Sequence, residues 1–212
     1  MSSRILIQYV TSSDFKIEEN QAFQRVARLQ DGSRVSDLFE FAIRRAQIKE
    51  VLETDLQTMV MAEVAEAYSN IKVPCIVEHA GLVFLEYGSY PGGLTKPMWD
   101  FLKDGFIEET HSNGRKVLAR AVVGYCDGRS VHTFVGETPG IIADKPRGER
   151  KFYWDTVFVP DEADVDVKGR TYAEIVQQKG LDYKMDGLSQ SSRAMLKFLE
   201  YRKTHDPELW SF

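Results

Sequence analysis

The sequence predicts an α/β protein built on one central mixed β-sheet. The run Ile5–Val10 is apolar and rich in β-branched residues, which is typical of a buried strand. Small polar residues follow it, and apolar residues then recur at helical spacing, in the strand–turn–helix order of an α/β layer. Residues 117–125 and 131–135 flank a Cys-Asp-Gly-Arg turn and predict an antiparallel pair.

The same patterns predict the other elements along the chain. Ser13 or Asp14 can cap the first helix, and the Asp-Gly-Ser segment at 31–33 forms a turn. Further strands are predicted at residues 39–43, 71–77 and 157–159, with 82–85 extended, and further helices at 56–68, 96–102, 172–178 and 191–203. Residues 87–93, rich in Gly and Tyr, form a loop able to approach a ligand, although most such loops are only turns.

Composition limits the class of protein. The chain has 212 residues, 27 Lys and Arg against 32 Asp and Glu, and a formal net charge of −5. We therefore expect a single domain over residues 1–212 that lacks the broad basic surface of a general nucleic-acid binder. One local basic pocket would still suffice for a nucleotide.

The sequence also predicts where the protein resides. No apolar run approaches the roughly 18 residues of a membrane span, and the N-terminus has no apolar core of signal-peptide length. Cys75 and Cys126 lie in apolar contexts outside any CxxC motif, which favours buried free thiols. We therefore expect a cytoplasmic protein without membrane contact.

The first polar cluster lies between the first strand and the first helix, and consists of Thr11, Ser12, Ser13 and Lys16. Small hydroxyl residues at a helix N-terminus can present backbone N–H groups to a phosphate, and Lys16 adds a full positive charge. The Walker A pattern is absent. A helix cap beside a solvated lysine explains the same residues, so the cluster predicts either a phosphate site or a cap.

A second cluster follows the third predicted strand. Glu78 and His79 lie at its end, and Glu50 and Glu53 lie upstream. Carboxylates at strand ends can hold Mg²⁺ together with substrate phosphates, and His79 could act as a general base near neutral pH. A solvated loop with surface charges is the alternative.

The third cluster joins positive charge to aromatic rings. Four of the seven residues 145–151 are basic, and Phe152, Tyr153, Trp154 and Asp155 follow. An aromatic face can stack on a base, and Asp155 can accept hydrogen bonds from a purine edge. A basic loop that leads into a core strand explains the segment equally well.

The fourth cluster begins the last predicted helix, with Ser191, Ser192 and Arg193. Hydroxyl groups there can cap the helix, and Arg193 could reach a phosphate or a base. Capping alone explains the serines. Trp99 and Trp210 are expected to pack in the core rather than to hold a cofactor.

Taken in order, these clusters resemble the inosine triphosphate pyrophosphatase family, which hydrolyses non-standard purine nucleoside triphosphates. The similarity runs from about Ile5 to about Arg202. Residues 11–16 resemble the family's phosphate-turn motif, Thr-Gly-Asn-x-x-Lys, and residues 78–82 resemble its acidic motif, Asp/Glu-Asp-Ser/Thr-Gly-Leu. Residues 152–156 resemble its aromatic motif, Phe-Gly-Trp/Tyr-Asp-Pro. Residues 171–175 resemble its Thr-Phe/Tyr-Ala-Glu-Met/Leu motif, and residues 191–193 resemble its Ser-His-Arg motif.

The resemblance implies an elongated α/β protein, with a long mixed sheet and a central nucleotide cleft, that forms a homodimer and uses Mg²⁺. The catalytic residues predicted at the matching positions are His79, Glu78 and Lys16, although the role of His79 is inferred from its chemistry and is not supplied by the family. The predicted metal ligands are Glu50, Glu78 and His79, with Glu53 as the fallback for Glu50. Thr11, Ser13 and Lys16 would hold the triphosphate, Phe152 and Trp154 would stack on the base, Asp155 and Arg193 would read its edge, and Ser12, Tyr153, Ser191 and Ser192 complete the predicted substrate site.

The chain departs from the family at several of these positions. Ser12 and Ser13 replace Gly and Asn, His79 replaces an acid, and Ser192 replaces a histidine. The lysine expected before the last motif is not at its usual place, where Gly187 or Leu188 stands, and Lys184 is a candidate substitute. Because imidazole is a poor Mg²⁺ ligand, Mn²⁺ is an alternative ion.

Two functions follow. The first is hydrolysis of ITP, XTP or dITP to monophosphate and pyrophosphate, with His79 activating or positioning the water. The alternative is a nucleotide-binding relative with lost or altered catalysis, which acts as a sensor or on a modified nucleotide.

Overall fold

One mixed six-stranded sheet runs through the computed structural model, which describes residues 4–207. The strands are β1 (Ile5–Val10), β2 (Phe39–Arg44), β3 (Cys75–Phe84), β4 (Lys116–Cys126), β5 (Val131–Ile142) and β6 (Phe158–Pro160), in the spatial order β2-β1-β3-β4-β5-β6. β1 is parallel to β2 and β3, whereas β4, β5 and β6 continue the sheet in antiparallel pairing. The predicted mixed sheet and the predicted antiparallel pair are therefore confirmed.

Helices cover both faces of the sheet. They are α1 (Asp14–Val26), the short α2 (Val35–Leu38), α3 (Leu56–Ile71), α4 (Thr95–Leu102), α5 (Phe106–Glu109), α6 (Tyr172–Lys179), the single turn α7 (Leu181–Tyr183) and α8 (Gln190–Thr204). The predicted loop at 87–93 holds parts of two short 3₁₀ turns, Leu85–Tyr87 and Gly92–Leu94. Each helix predicted from apolar spacing is present, and its ends differ from the prediction by only a few residues.

Side-chain caps fix where the main helices begin. Ser13 Oγ accepts a hydrogen bond from the Lys16 backbone N–H, and Asp55 caps α3 in the same way through Thr58. Thr171 and Glu174 form a reciprocal capping box at the start of α6. These residues satisfy N–H groups that a helix leaves free at its N-terminus, so the chain turns sharply out of each preceding segment.

The core lies between the sheet and its two longest flanking helices. On one face, Val60 and Val64 of α3 pack with Val77 and Val122. On the other face, Phe198 of α8 belongs to a second buried cluster. A third cluster, which includes Trp99, fills the end of the molecule near α4 and β6.

Cys75 and Cys126 are buried free thiols, as expected, and burial raises the pKa of Cys75 to about 12. Trp99 is 2% exposed and packs against Phe106, which confirms its structural assignment. Trp210 lies outside the described residues.

The prediction for the third strand is wrong in its bounds. Ile71 is the last residue of α3, which Lys72 terminates with a left-handed φ of 56°. β3 then pairs with β4 along all ten of its residues. Glu78 and His79 therefore lie in the middle of a strand and not at its end, because the ladder to β4 continues past them.

β3 pairs with β4 over its whole length but with its other neighbour, β1, over only two residues. β1 pairs with β3 only at Gln8↔Cys75 and Tyr9↔Ile76, and β1 ends at Val10. From Val77 to Leu82, the edge of β3 that faces β1 has no β-ladder partner among the described residues, and an isolated antiparallel bridge then joins Val83 to Pro91. The sheet is therefore open at this point, and side chains from both of its faces can reach the opening.

Within residues 4–207, no helix has the length and apolar character that crossing a membrane requires. The assignment of residues 1–212 to one domain stays a prediction.

Replacing Gly136 on β5 with alanine should force α8 away from the sheet. A Cβ atom there would lie 2.1 Å from the Gln190 carbonyl oxygen and 2.3 Å from the Ala194 nitrogen, both backbone atoms. We expect Gly136→Ala to lower the free energy of unfolding by about 1–3 kcal/mol, measured by urea denaturation. Gly105→Ala is the control, because its Cβ would meet nothing closer than 3.8 Å. Equal stability of the two variants would contradict this packing.

Candidate active site

A cavity of about 450 Å³ opens beside the unpaired edge of β3. Its walls come from six parts of the chain: the end of β1 with the start of α1, the loop before α3, α3 itself, the middle of β3, the start of α4, and the aromatic segment at 152–154. The predicted residues that line it are Thr11, Ser12, Ser13, Lys16, Glu50, Glu78, His79, Phe152, Tyr153 and Trp154. The fold thus brings together residues up to 143 positions apart (154 − 11 = 143).

The hydroxyl turn at the start of α1 is well ordered by its own hydrogen bonds. Thr11 Oγ1 accepts a bond of 3.2 Å from the Ser13 backbone N–H, and Ser13 Oγ accepts one of 3.4 Å from Lys16 N–H. The cap predicted for this turn is confirmed. The same turn also lines the cavity, so the predicted phosphate site and the observed cap are compatible.

Lys16 is held against β3. Its Nζ donates to the backbone carbonyl of Glu78, which lies on the open edge of the strand, and is 3.5 Å from the Glu78 carboxylate. Glu78 also accepts hydrogen bonds from Tyr9 at 3.2 Å and Ser191 at 3.0 Å. Burial, together with the adjacent Glu78 charge, raises the pKa of Tyr9 well above its usual value. Tyr9 therefore remains a neutral donor to Glu78.

His79 is the next residue of β3, and its side chain contacts a different helix. Its Nδ1 is 3.4 Å from Oε1 of Glu63 on α3, and both side chains are buried. Glu63 was not among the predicted site residues. The signal was nonetheless in the sequence, because Glu63 interrupts the apolar stripe of α3 between Val60 and Val64.

The predicted metal ligands do not form a preassembled centre. Glu50 lines the cavity but is ion-paired with Lys96 of α4 at 3.7 Å, and Glu78 and His79 contact different elements, as adjacent strand residues do. Glu53, the predicted alternative to Glu50, accepts hydrogen bonds from the backbone N–H groups of Thr54 and Asp55, and these bonds lower the pKa of its carboxyl group. Across the described part of the chain, no three His, Cys, Asp or Glu side chains are grouped to hold a metal ion.

The aromatic segment forms one wall of the cavity. Phe152 meets Phe15 of α1 edge-on, with ring centroids 5.9 Å apart, and meets Tyr153 in the same way at 5.2 Å. Phe15, which was not predicted, is 38% exposed, whereas Trp154 is 1% exposed. The accessible aromatic surface is therefore provided by Phe15, Phe152 and Tyr153 more than by Trp154.

Asp155 lies behind this wall in a buried charge cluster with Lys184 and Glu19. Lys184 Nζ donates to Asp155 at 2.6 Å and to Glu19 at 3.0 Å, so Lys184 is the cation partner of Asp155. That it substitutes for the missing lysine stays a prediction. Burial raises the pKa of Asp155 and of Glu19, although Lys184 opposes the change. Burial would lower the pKa of Lys184, but the two carboxylates outweigh it and the pKa is raised.

The last motif is only partly directed to the cavity. Ser191 reaches the site through Glu78, but Ser192 is buried and donates to the Ser189 carbonyl at 2.9 Å. Arg193 donates to the Glu137 carbonyl at 2.8 Å and pairs with Glu162. Ser192 and Arg193 are not among the cavity-lining residues, so the predicted contact of Arg193 with a base is not formed in this arrangement.

The fold and this cleft define an α/β protein with a capped hydroxyl turn, a buried histidine–carboxylate pair and an aromatic wall around one cavity. Comparison with models of known protein families identifies the family of this chain. The Ham1 family model matches residues 7–201, and the chain belongs to that family.

Named relatives agree with this assignment. A dITP/XTP pyrophosphatase of Methanopyrus kandleri is 35% identical over 137 residues, which are 62% of this chain and 66% of that protein. A dITP/XTP pyrophosphatase of Hyperthermus butylicus is 27% identical over 84% of this chain and 87% of its own length. An inosine triphosphate pyrophosphatase of Kluyveromyces lactis is 29% identical over 73% and 77%, respectively.

Solved structures share the fold. A HAM1 protein from Coxiella burnetii superposes with a TM-score of 0.61 at 18% identity, over 93% of this chain and 98% of that one. The Ham1 protein of Staphylococcus aureus gives 0.58 at 16% identity, over 92% and 99%. The predicted fold class is thereby confirmed.

Removing the charge of Lys184 should destabilise the protein strongly. Lys184→Met leaves Asp155 and Glu19 buried without a cation, and we expect a loss of about 3–5 kcal/mol at neutral pH. The surface variant Lys179→Met, which breaks the exposed pair with Asp166, should leave the stability nearly unchanged. Denaturant unfolding measures both.

The pH dependence of this loss has a definite sign. A carboxyl group whose pKa is higher in the folded than in the unfolded chain takes up its proton first in the folded chain, so a lower pH favours folding. Both Asp155 and Glu19 have raised pKa values, and loss of Lys184 raises them further. The deficit of Lys184→Met should therefore shrink on acidification below neutral pH. A deficit that grows on acidification would contradict the assignment.

Proposed function

We propose that the protein hydrolyses non-standard purine nucleoside triphosphates such as ITP, XTP and dITP to the monophosphate and pyrophosphate. The observation that carries this proposal is a single cavity lined by the hydroxyl turn, Lys16, His79 and the aromatic wall. The relatives named above as dITP/XTP and inosine triphosphate pyrophosphatases support the same activity.

The substrate is proposed to lie along the open edge of β3. Its phosphates face the N-terminus of α1, where the backbone N–H groups and Lys16 provide positive charge. Its base packs against the aromatic wall of Phe152, Tyr153 and Phe15, with Trp154 and Asp155 behind it. Ser191 supports the site indirectly, by holding Glu78.

The reaction breaks the anhydride that joins the α- and β-phosphates. A water oxygen attacks one of the two phosphorus atoms, and the bridging oxygen leaves with the electron pair of the broken P–O bond. We assign acceptance of the water proton to His79, a role open to neutral imidazole near pH 7. Lys16 stabilises the charge that develops on the phosphate oxygens.

The divalent cation is proposed to enter with the nucleotide as part of the substrate. The described side chains form no preassembled metal centre, and Mg²⁺ binds proteins largely through carboxylates and substrate phosphates together. Mg²⁺ is the expected ion and Mn²⁺ the alternative. Of the predicted ligands, Glu50 is the exposed carboxylate on the cavity wall, and Glu78 and His79 lie on β3. No step above is assigned to the ion.

The second candidate is a nucleotide-binding relative with altered catalysis. Its supporting observations are the absence of a grouped metal site within residues 4–207 and the direction of Arg193, which points away from the cavity. We also propose a cytoplasmic location, as predicted from the sequence, and a homodimer, as the family resemblance implies.

Pyrophosphate release from ITP, XTP, dITP, GTP and ATP, each with Mg²⁺ and with Mn²⁺, separates the two candidates. We expect release that favours ITP, XTP or dITP. Binding of these nucleotides without release under either ion would overturn the hydrolase and leave the binding protein.

Lys16 should contribute to affinity for the triphosphate. Lys16→Gln removes a charged donor from the cavity, so we expect KM for the preferred nucleotide to rise at least roughly 10-fold. Lys168→Gln, an exposed lysine outside the cavity lining, is the matched control and should leave KM unchanged. Steady-state kinetics measure both, and an unchanged KM in Lys16→Gln would show that the phosphates bind elsewhere.

A further inference from the structure

Glu63 is a buried carboxylate in an otherwise apolar stretch of α3. It is 5% exposed, and Met59, Val60, Val64 and Ala67 around it on the helix are buried as well. No Lys or Arg side chain of residues 4–207 forms an ion pair with it. Because burial of an unpaired carboxylate costs several kcal/mol, Glu63 requires a partner that can carry positive charge or donate a hydrogen bond.

The partner that the fold provides is His79. The distance of 3.4 Å from His79 Nδ1 to Glu63 Oε1 is an ion-pair distance, and His79 is also 5% exposed. Oε1 receives no hydrogen bond from any described group. The Nδ1–H of His79 is therefore the donor best placed to satisfy this oxygen.

Both members of the pair lie on the cavity wall. Glu78 does not compete for the ring, because its two oxygens already accept bonds from Tyr9 and Ser191. Within the described chain, Glu63 is the only group that the imidazole of His79 contacts through a ring nitrogen. Because Nδ1 is the ring nitrogen 3.4 Å from Glu63, the opposite nitrogen, Nε2, remains for a molecule in the cavity.

We propose that Glu63 is a positioning residue for His79. Its carboxylate accepts the Nδ1–H, which fixes the ring orientation and the tautomer that leaves the lone pair on Nε2. In the hydrolysis proposed above, on which this inference rests, Nε2 takes the proton from the attacking water while the bridging oxygen leaves with its electron pair. The imidazolium that forms then faces the Glu63 carboxylate, which stabilises it.

The kinetic test asks whether Glu63 acts through His79. Glu63→Gln should lower kcat for the preferred nucleotide roughly 10- to 100-fold with little change in KM, as part of the ~100- to 10,000-fold that a positioned base contributes. In a His79→Ala background, the same substitution should have no further effect, because residues that act as a unit are not additive. An equal loss in both backgrounds would overturn the proposal.

Glu109→Gln is the control for removal of one negative charge, since Glu109 is exposed and lies outside the cavity lining. It should keep the wild-type kcat and KM. Circular dichroism and thermal unfolding of Glu63→Gln show whether the variant is folded when it is assayed.

A second measurement does not depend on turnover. The chain has 4 histidines, so ring ¹⁵N resonances of histidine-labelled protein can be assigned, with that of His79 identified by its loss in His79→Ala. We expect neutral His79 to carry its proton on Nδ1 in the wild type and to populate both tautomers in Glu63→Gln. A proton on Nε2 in the wild type, or the same spectrum in the variant, would overturn the proposal. If none of the nucleotides is hydrolysed, the proposed function fails while this spectrum still decides the pairing.

Discussion

The early separation of β1 from β3 determines the shape of the cleft. The two strands share only two residue pairs, and β3 continues for eight residues beyond the last of them (84 − 76 = 8). A fully paired sheet keeps its two faces apart, so residues that alternate along a strand cannot meet the same ligand. Here the open edge lets Glu78 and His79 line one cavity although their side chains are anchored on different helices.

The open edge also exposes backbone groups that a neighbouring strand would otherwise bind. The backbone carbonyl of Glu78 accepts a hydrogen bond from Lys16. The two carboxylate oxygens of its side chain accept hydrogen bonds from Tyr9 and Ser191. Each buried charge near the cleft has a partner from a distant segment: Lys16 with Glu78, His79 with Glu63, and Lys184 with Asp155 and Glu19. Such pairs contribute to the choice of one arrangement more than to stability, because desolvation offsets much of their attraction.

Much of the fold could be predicted from local patterns, since caps and apolar spacing act within a few residues. The hydroxyl turn, the long antiparallel pair and the helices follow from such patterns. The extent of β3 could not, because Glu78 and His79 interrupt its apolar run and only the ladder to β4 shows that it continues. The residues of the site that could be predicted are those that lie within recognisable motifs. Glu63 and Lys96 were missed because they lie between motifs, and Phe15 because it occupies an unspecified position of the motif at 11–16. The direction of Arg193 depends on Glu137 and Glu162, which no local pattern connects to it.

The contact between Lys16 and Glu78 means that the charge of this lysine already has a partner within the protein. A polyanion that binds in the cleft must replace Glu78 as the partner of Lys16. Only the difference in free energy between the two contacts then contributes to its affinity. Ligands that carry more negative charge have the larger difference, whereas a nucleoside monophosphate offers little advantage over the internal carboxylate. For the proposed substrate, the internal pair would therefore set a threshold on phosphate charge, and it would favour release of a less charged product when the lysine returns to the strand.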